Sequence, residues 1–269
     1  MLKDITFGQY FESHSKIHRL DPRTKLVLLI AFIVFLFVAN NLYAMAFSLV
    51  FSVVVMILSK VSLKMYLKNI KAIWIIIVFT SIINLFYNTD GKKLLSFWKI
   101  TITTGGIERT VFLTVRIIVL ILMSSVLTYT TTPNDLTDAI ERLCSPLKFI
   151  GLGGVVHTLA MMMTIALRFI PTLVEETEKI MNAQKARGAD LENGKLSERV
   201  KALVPILVPL LISSVRRAYE LAEAMECRCY NGGEGRVKMK QLRFHLSDLF
   251  ALLFMIIFGA GIILINIFL

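Results

Sequence analysis

Acidic residues are few in this 269-residue chain: 19 Asp and Glu stand against 30 Lys and Arg, a net charge of +11. Cysteine is scarcer still. Cys144, Cys227 and Cys229 cannot all pair, and the last two lie only two positions apart, so a disulfide framework is not expected and reduced thiols fit better. With His245, Cys227 and Cys229 fall short of the four closely spaced ligands of a zinc site and read as small side chains at a packed helix end. His14 and His18 are four apart and lack a third ligand, so they read as surface residues. No metal site is expected. No Gly-x-x-x-x-Gly-Lys-Ser/Thr loop occurs, which excludes that cradle for a nucleoside triphosphate. No apolar run carries a carboxylate pair, a Ser/Lys dyad or a His-rich zinc motif, which argues against an intramembrane enzyme and leaves no catalytic residue to name. A signal peptide is not expected either. Residues 1–25 are polar, with Asp21 and Arg23 beside the first apolar run and no small-residue cleavage site.

What the chain has in abundance is apolar side chain, at 56% of residues and a mean hydropathy of +0.69. A soluble protein of this length neither buries nor exposes so much, and the chain reads as an all-α integral membrane protein. Its basic excess belongs in cytoplasmic loops, where it sets orientation. Nucleic acid is not an expected partner, because binding it needs a contiguous soluble basic patch.

Apolar runs at 26–39 and 42–58, broken at Asn40-Asn41, predict two short spans; 70–86 and 107–131 predict a third and fourth, and 246–269 the last. About five spans follow. The basic lead-in before Leu26 and Lys60, Lys64, Lys68 and Lys71 mark the cytoplasmic side, which puts the N-terminus there. Asn88 to Gly106 is an outer loop, with β-like alternation after Lys99. Arg116 falls inside the fourth span and should face other helices, not lipid. Arg116 and His157 are the ionisable residues well inside apolar segments, a thin basis for a stand-alone transporter or channel.

Thr132-Pro133-Asn134-Asp135 is a helix start, with Thr132 as cap and Pro133 in the first turn. The amphipathic helix it opens has Leu136, Ala139, Ile140 and Leu143 on one face. Two long helices follow, at 153–187 and 197–229. Hydropathy by itself counts both as spans. The stretches around them, Lys179 to Lys201 and Arg216 to Arg243, are both basic, and both can stay inside only if the second helix does not cross, or goes in and out. The expected division is a four-span membrane region at 1–131, a cytoplasmic region at 132–244 and a final span at 245–269.

Each long helix ends on an arginine between small residues: Ala186-Arg187-Gly188, then Cys227-Arg228-Cys229. One such arginine is an ordinary cation at a helix C-terminus, worth roughly 0.3–1 kcal/mol. A matched pair on rigid helices reads differently, as two guanidinium prongs offered to carboxylates on two similar partners.

Those motifs, together with Gly8-Gln-Tyr10 and His18-Arg-Leu-Asp-Pro-Arg-Thr-Lys25, make the chain resemble the transmembrane (T) component of energy-coupling factor transporters, the group that includes the membrane subunit of cobalt and nickel uptake systems. Cys227-Arg228-Cys229 departs from the family's second Ala-Arg-Gly but keeps the arginine and the small neighbours. The resemblance implies an L-shaped molecule of membrane helices and long cytoplasmic coupling helices. It implies that Ala186, Arg187, Gly188, Cys227, Arg228 and Cys229 bind two ATP-binding-cassette ATPase subunits. Those subunits hold the ATP, so this chain needs no cofactor and is not an enzyme. A membrane-embedded substrate-binding (S) component, exchangeable in some systems, carries the vitamin or metal ion.

Overall fold

The computed structural model describes residues 10–13, 15–87, 93–97, 100–151, 153–189, 196–232 and 242–268. Gly8, Gln9, His14, the turn at 88–91, Lys92, Lys99, the linker at 190–195 and the basic residues Arg236, Lys238 and Lys240 lie outside them. The chain is helical almost throughout. α1 (Pro22–Val38), α2 (Leu42–Ser59) and α3 (Leu63–Tyr87) lead to a two-stranded antiparallel hairpin of β1 (Lys93–Phe97) and β2 (Ile100–Thr103). α4 (Thr104–Thr130), α5 (Pro133–Leu143), a 3-10 helix (Ser145–Ile150), α6 (Gly153–Ala186), α7 (Leu196–Glu226) and α8 (Leu246–Phe268) complete it.

The chain is an all-α integral membrane protein carrying one short hairpin. Among the described residues six helices, α2, α3, α4, α6, α7 and α8, are long and apolar enough to cross a membrane. The five expected spans were differently composed: they counted α1, which has 17 residues, and left α6 and α7 out. α3 also starts earlier than expected. Lys64, Lys68 and Lys71 sit inside it at one-face spacing, so charges that read as a loop ride on the helix.

The described residues fall into two compact units, those of Gly8–Ala139 with Gln241–Leu269 and those of Ile140–Lys240. In the first, α1, α2, α4 and α8 bury Phe32, Leu36, Met45, Phe51, Val119 and Phe258. The Phe51 and Phe258 rings stack at 4.0 Å between centroids, with Phe32 5.5 Å from Phe258. A β-carbon on Gly259 would overlap the ring of Phe35. Gly259→Ala therefore forces that ring out of place and is expected to cost roughly 1–3 kcal/mol, read as a lowered Tm of the detergent-solubilised chain.

Helix ends in this unit are satisfied by side chains from other helices. Arg116 donates through Nη2 to the carbonyl of Ala39 at 2.8 Å, closing the C-terminus of α1 from within α4. Its guanidinium lies over the rings of Phe112 (4.6 Å) and Phe37 (5.3 Å). The intramembrane charge is thus a structural cap, and it faces helices as expected. Asn266 of α8 donates to the carbonyl of Val38 (2.7 Å) and accepts from the amide of Asn40 (3.3 Å), holding the α1–α2 turn. At α5, Thr132 Oγ1 accepts from the amide of Asp135 at 3.2 Å, the cap read from the sequence.

Candidate functional site

The two arginine motifs close their helices with one geometry. At the end of α6 the amide of Ala189 donates to the carbonyl of Gln184 (3.0 Å) and that of Gly188 to Lys185 (3.0 Å). At the end of α7 the amide of Tyr230 donates to Met225 (3.0 Å) and that of Cys229 to Glu226 (2.8 Å). Each is the bond pair of a Schellman cap. Arg187 and Arg228 stand one residue before the left-handed position, with Ala186 and Cys227 preceding them. Gly188 and Cys229 are the left-handed residues, at φ +88° and +52°. Both arginines are exposed, and neither guanidinium makes a hydrogen bond or ion pair among the described residues. The small residue on each side leaves the guanidinium open to approach.

The departure from glycine at the second cap has a cost. A residue with a β-carbon in the left-handed region loses about 1–2 kcal/mol, which Gly188 avoids. Cys229→Gly is expected to slow hydrogen exchange at the amides of Cys229 and Tyr230 by roughly tenfold, because that strain no longer favours fraying. Gly188→Ala should speed exchange at Gly188 and Ala189 by a similar factor; open space surrounds that position, so backbone conformation alone is tested.

The structure does not bring the two motifs together. α6 and α7 pack antiparallel: Tyr230 donates to the sulfur of Met161 (2.9 Å), while Arg217 pairs with Glu176 (2.6 Å). Arg187 lies eleven residues beyond Glu176 on α6, and Arg228 eleven beyond Arg217 on α7, in opposite directions. The prongs are therefore separated by about 30 Å along the pair, at 1.5 Å per residue. Two identical caps sit equally far on either side of one ion pair.

This packing also bears on whether the pair crosses a membrane. The apolar half of α6, around Met161 to Phe169, lies beside the part of α7 that carries Arg216, Arg217, Glu220, Glu223 and Glu226. Upright antiparallel helices would set that charged segment at the depth of its neighbour's apolar one. Burial of so many charges in hydrocarbon is strongly unfavourable.

The N-terminal signature serves the first unit. Asp21 caps α1, its Oδ1 accepting from the amide of Arg23 (2.9 Å), with Pro22 in the first turn. Arg23 Nη2 donates to the carbonyl of Leu242 (3.4 Å), and its guanidinium lies 5.4 Å over the Phe244 ring. Lys25, just ahead of the apolar run from Leu26, is buried and donates to the carbonyls of Thr130 (2.8 Å) and His18 (3.2 Å). Burial pushes its ammonium down to about 8, against the raising influence of Asp135, Asp248 and Asp21.

Asp248 was not singled out from the sequence. It is 1% exposed, and its two oxygens accept from the amides of Asp21 (2.8 Å) and His245 (2.7 Å), binding the starts of α1 and α8 together. The available signal was an acid three residues after a polar residue at the mouth of an apolar run, the pattern of a helix start. His157, the other ionisable residue in an apolar segment, pairs through Nδ1 with Glu141 (2.9 Å). Among the described residues no group of three or more His, Cys, Asp or Glu is placed to hold a metal ion.

Comparison with known proteins agrees with these features. Residues 13–239 match the CbiQ family model, described as cobalt transport protein. Energy-coupling factor transporter transmembrane protein EcfT of Ruminiclostridium cellulolyticum is 46% identical over 264 residues, covering 98% of both chains. The protein of the same name in Thermosediminibacter oceani is 50% identical over 250 residues, 93% of each chain, and that of Bacillus subtilis 42% identical over 260 residues, 97% of each. The match to the family model over most of the chain and this near-complete coverage of its relatives show that the chain belongs to the CbiQ family of energy-coupling factor transporter transmembrane proteins.

Proposed function

We propose that this chain couples two ATP-binding-cassette ATPase subunits to a membrane-embedded S component in an importer of a vitamin or a transition metal ion. α5, α6 and α7 act as the coupling helices on the cytoplasmic side. Arg187 and Arg228 enter acid-lined grooves on the two ATPases, and Ala186, Gly188, Cys227 and Cys229 let those grooves close around them. The ATPases bind and hydrolyse ATP, and this chain carries no catalytic residue. Their closure shifts the helices as packed units and moves the S component, which sets the substrate.

One observation carries this reading. The two exposed arginines have the same Schellman geometry and lie equally far from the Glu176–Arg217 pair, in opposite directions. That arrangement fits two similar partner surfaces related by an approximate two-fold. The charged segment of α7 beside the apolar half of α6 supports a pair lying along the membrane face. The ionisable candidates for a stand-alone transporter are engaged elsewhere, Arg116 in capping α1 and His157 with Glu141.

The test is co-expression of the tagged chain with two ATPases encoded in the same genome, and purification in mild detergent. Recovery of both with the chain supports the proposal. Recovery of neither, with substrate uptake by the lone chain in liposomes, refutes it.

A further inference from the structure

Between α6 and α7 lies a cleft of about 560 Å³ that the coupling role does not use. Arg168 enters it from α6, and Arg216 and Arg217 from α7. Arg217 is engaged by Glu176, whereas Arg168 and Arg216 are exposed and their guanidinium groups make no hydrogen bond or ion pair among the described residues. Glu220 shares the lining, so three cations face the carboxylates of Glu220 and Glu176 and leave the cleft positive. The rest of its wall is Ser213 and the apolar Ile165, Phe169 and Leu221.

We propose that this cleft seats the phosphodiester headgroup of an anionic phospholipid. Guanidinium forks match phosphate oxygens in pairs, and basic pockets between helices at a membrane face select anionic headgroups. Position favours lipid over free phosphate. The cleft opens where α7 passes from its apolar run, which ends at Val215, to Arg216, and just before α6 turns polar at Glu175. Ile212 and Val215 on α7, which flank the lining residues Ser213 and Arg216 in the chain, are exposed and apolar, a surface that an acyl chain can cover. The apolar wall meets glycerol and the first methylenes, whereas inorganic phosphate would use the arginines alone. An anchored lipid would fix how deep this helix pair sits at the membrane face.

The full-length chain, reconstituted in nanodiscs of phosphatidylcholine with a minority of phosphatidylglycerol and then gently solubilised, is examined by native mass spectrometry for retained lipid. The wild type is expected to keep phosphatidylglycerol in preference to phosphatidylcholine. Arg168→Gln with Arg216→Gln should lower that preference roughly tenfold or more, each surface arginine contributing severalfold. Lys179→Gln with Lys201→Gln removes the same charge from exposed positions outside the cleft and should leave it unchanged. Arg168→Lys with Arg216→Lys, which keeps the charge and loses the fork, should lie between and serves if the glutamine variant misfolds. Equal retention by the arginine variants, or equal loss in the lysine control, overturns the proposal. Displacement of the lipid by inorganic phosphate at millimolar concentration assigns the site to free phosphate and overturns it as well. Neither ATPase nor S component is present, so failure here leaves the coupling proposal standing.

Discussion

Arg187→Glu combined with Arg228→Glu is expected to abolish recovery of both ATPases with the chain, while each single change weakens it. Removal of one partner from a desolvated, hydrogen-bonded charge pair costs 2–5 kcal/mol or more, and a carboxylate set against acids adds repulsion. Two such losses amount to roughly a thousandfold or more in affinity, because each 1.4 kcal/mol is tenfold. The variant should stay folded. Neither guanidinium makes a hydrogen bond or ion pair among the described residues, and the caps are built from backbone bonds. A glutamate near a helix C-terminus meets the macrodipole unfavourably by about 0.3–1 kcal/mol, small beside the docking loss. Unchanged far-UV circular dichroism with lost ATPases supports the two-pronged contact. A double variant that still holds both ATPases sinks it. Arg187→Gln with Arg228→Gln separates loss of attraction from added repulsion, and should retain more binding than the glutamate pair.

The second large effect lies in the membrane unit. Lys25→Met keeps a similar volume and is expected to destabilise the chain by roughly 2–4 kcal/mol. The ammonium serves the carbonyls of Thr130 and His18, which the thioether cannot. It also lies within electrostatic reach of Asp135, Asp248 and Asp21, two of which are buried. The loss should appear as a lowered Tm of the solubilised chain. Asp248→Asn should also destabilise, since the amide nitrogen cannot accept from a backbone N–H as Oδ1 and Oδ2 both do. Because Lys25 and Asp248 share one cluster, their double variant should lose less than the two single losses combined. Strict additivity would mean that the lysine and the aspartate act independently. A Tm unchanged by Lys25→Met would show that the cost of burying the ammonium cancels its bonds.

Much of the architecture was legible because it depends on local composition. The runs of α2, α4 and α8 are long and nearly free of charge, and no soluble alternative accommodates them. The cap at Thr132 and the start at Asp21-Pro22 were readable because capping is chemistry between near neighbours in the chain. The beginning of α3 was misread for the opposite reason: lysines break an apolar count without breaking a helix. Hydropathy admits α6 and α7 as spans, since a sum over one helix carries no information about its neighbour's charges.

The sequence by itself determined the membrane character, the starts of α1 and α5 and the two arginine motifs, down to the small residues beside each, because all of these follow from short-range pattern and backbone preference. Only the tertiary structure decided that Arg116 closes α1, that Asp248 reaches the amide of Asp21, 227 positions away in the chain, to join two helix starts, and that Arg168 and Arg216 share a cleft. It alone set Arg187 and Arg228 equally far on either side of Glu176–Arg217. These are relations between residues far apart in the chain. They exist only once helices pack, and packing is decided by the fit of whole surfaces and not by any single run of residues.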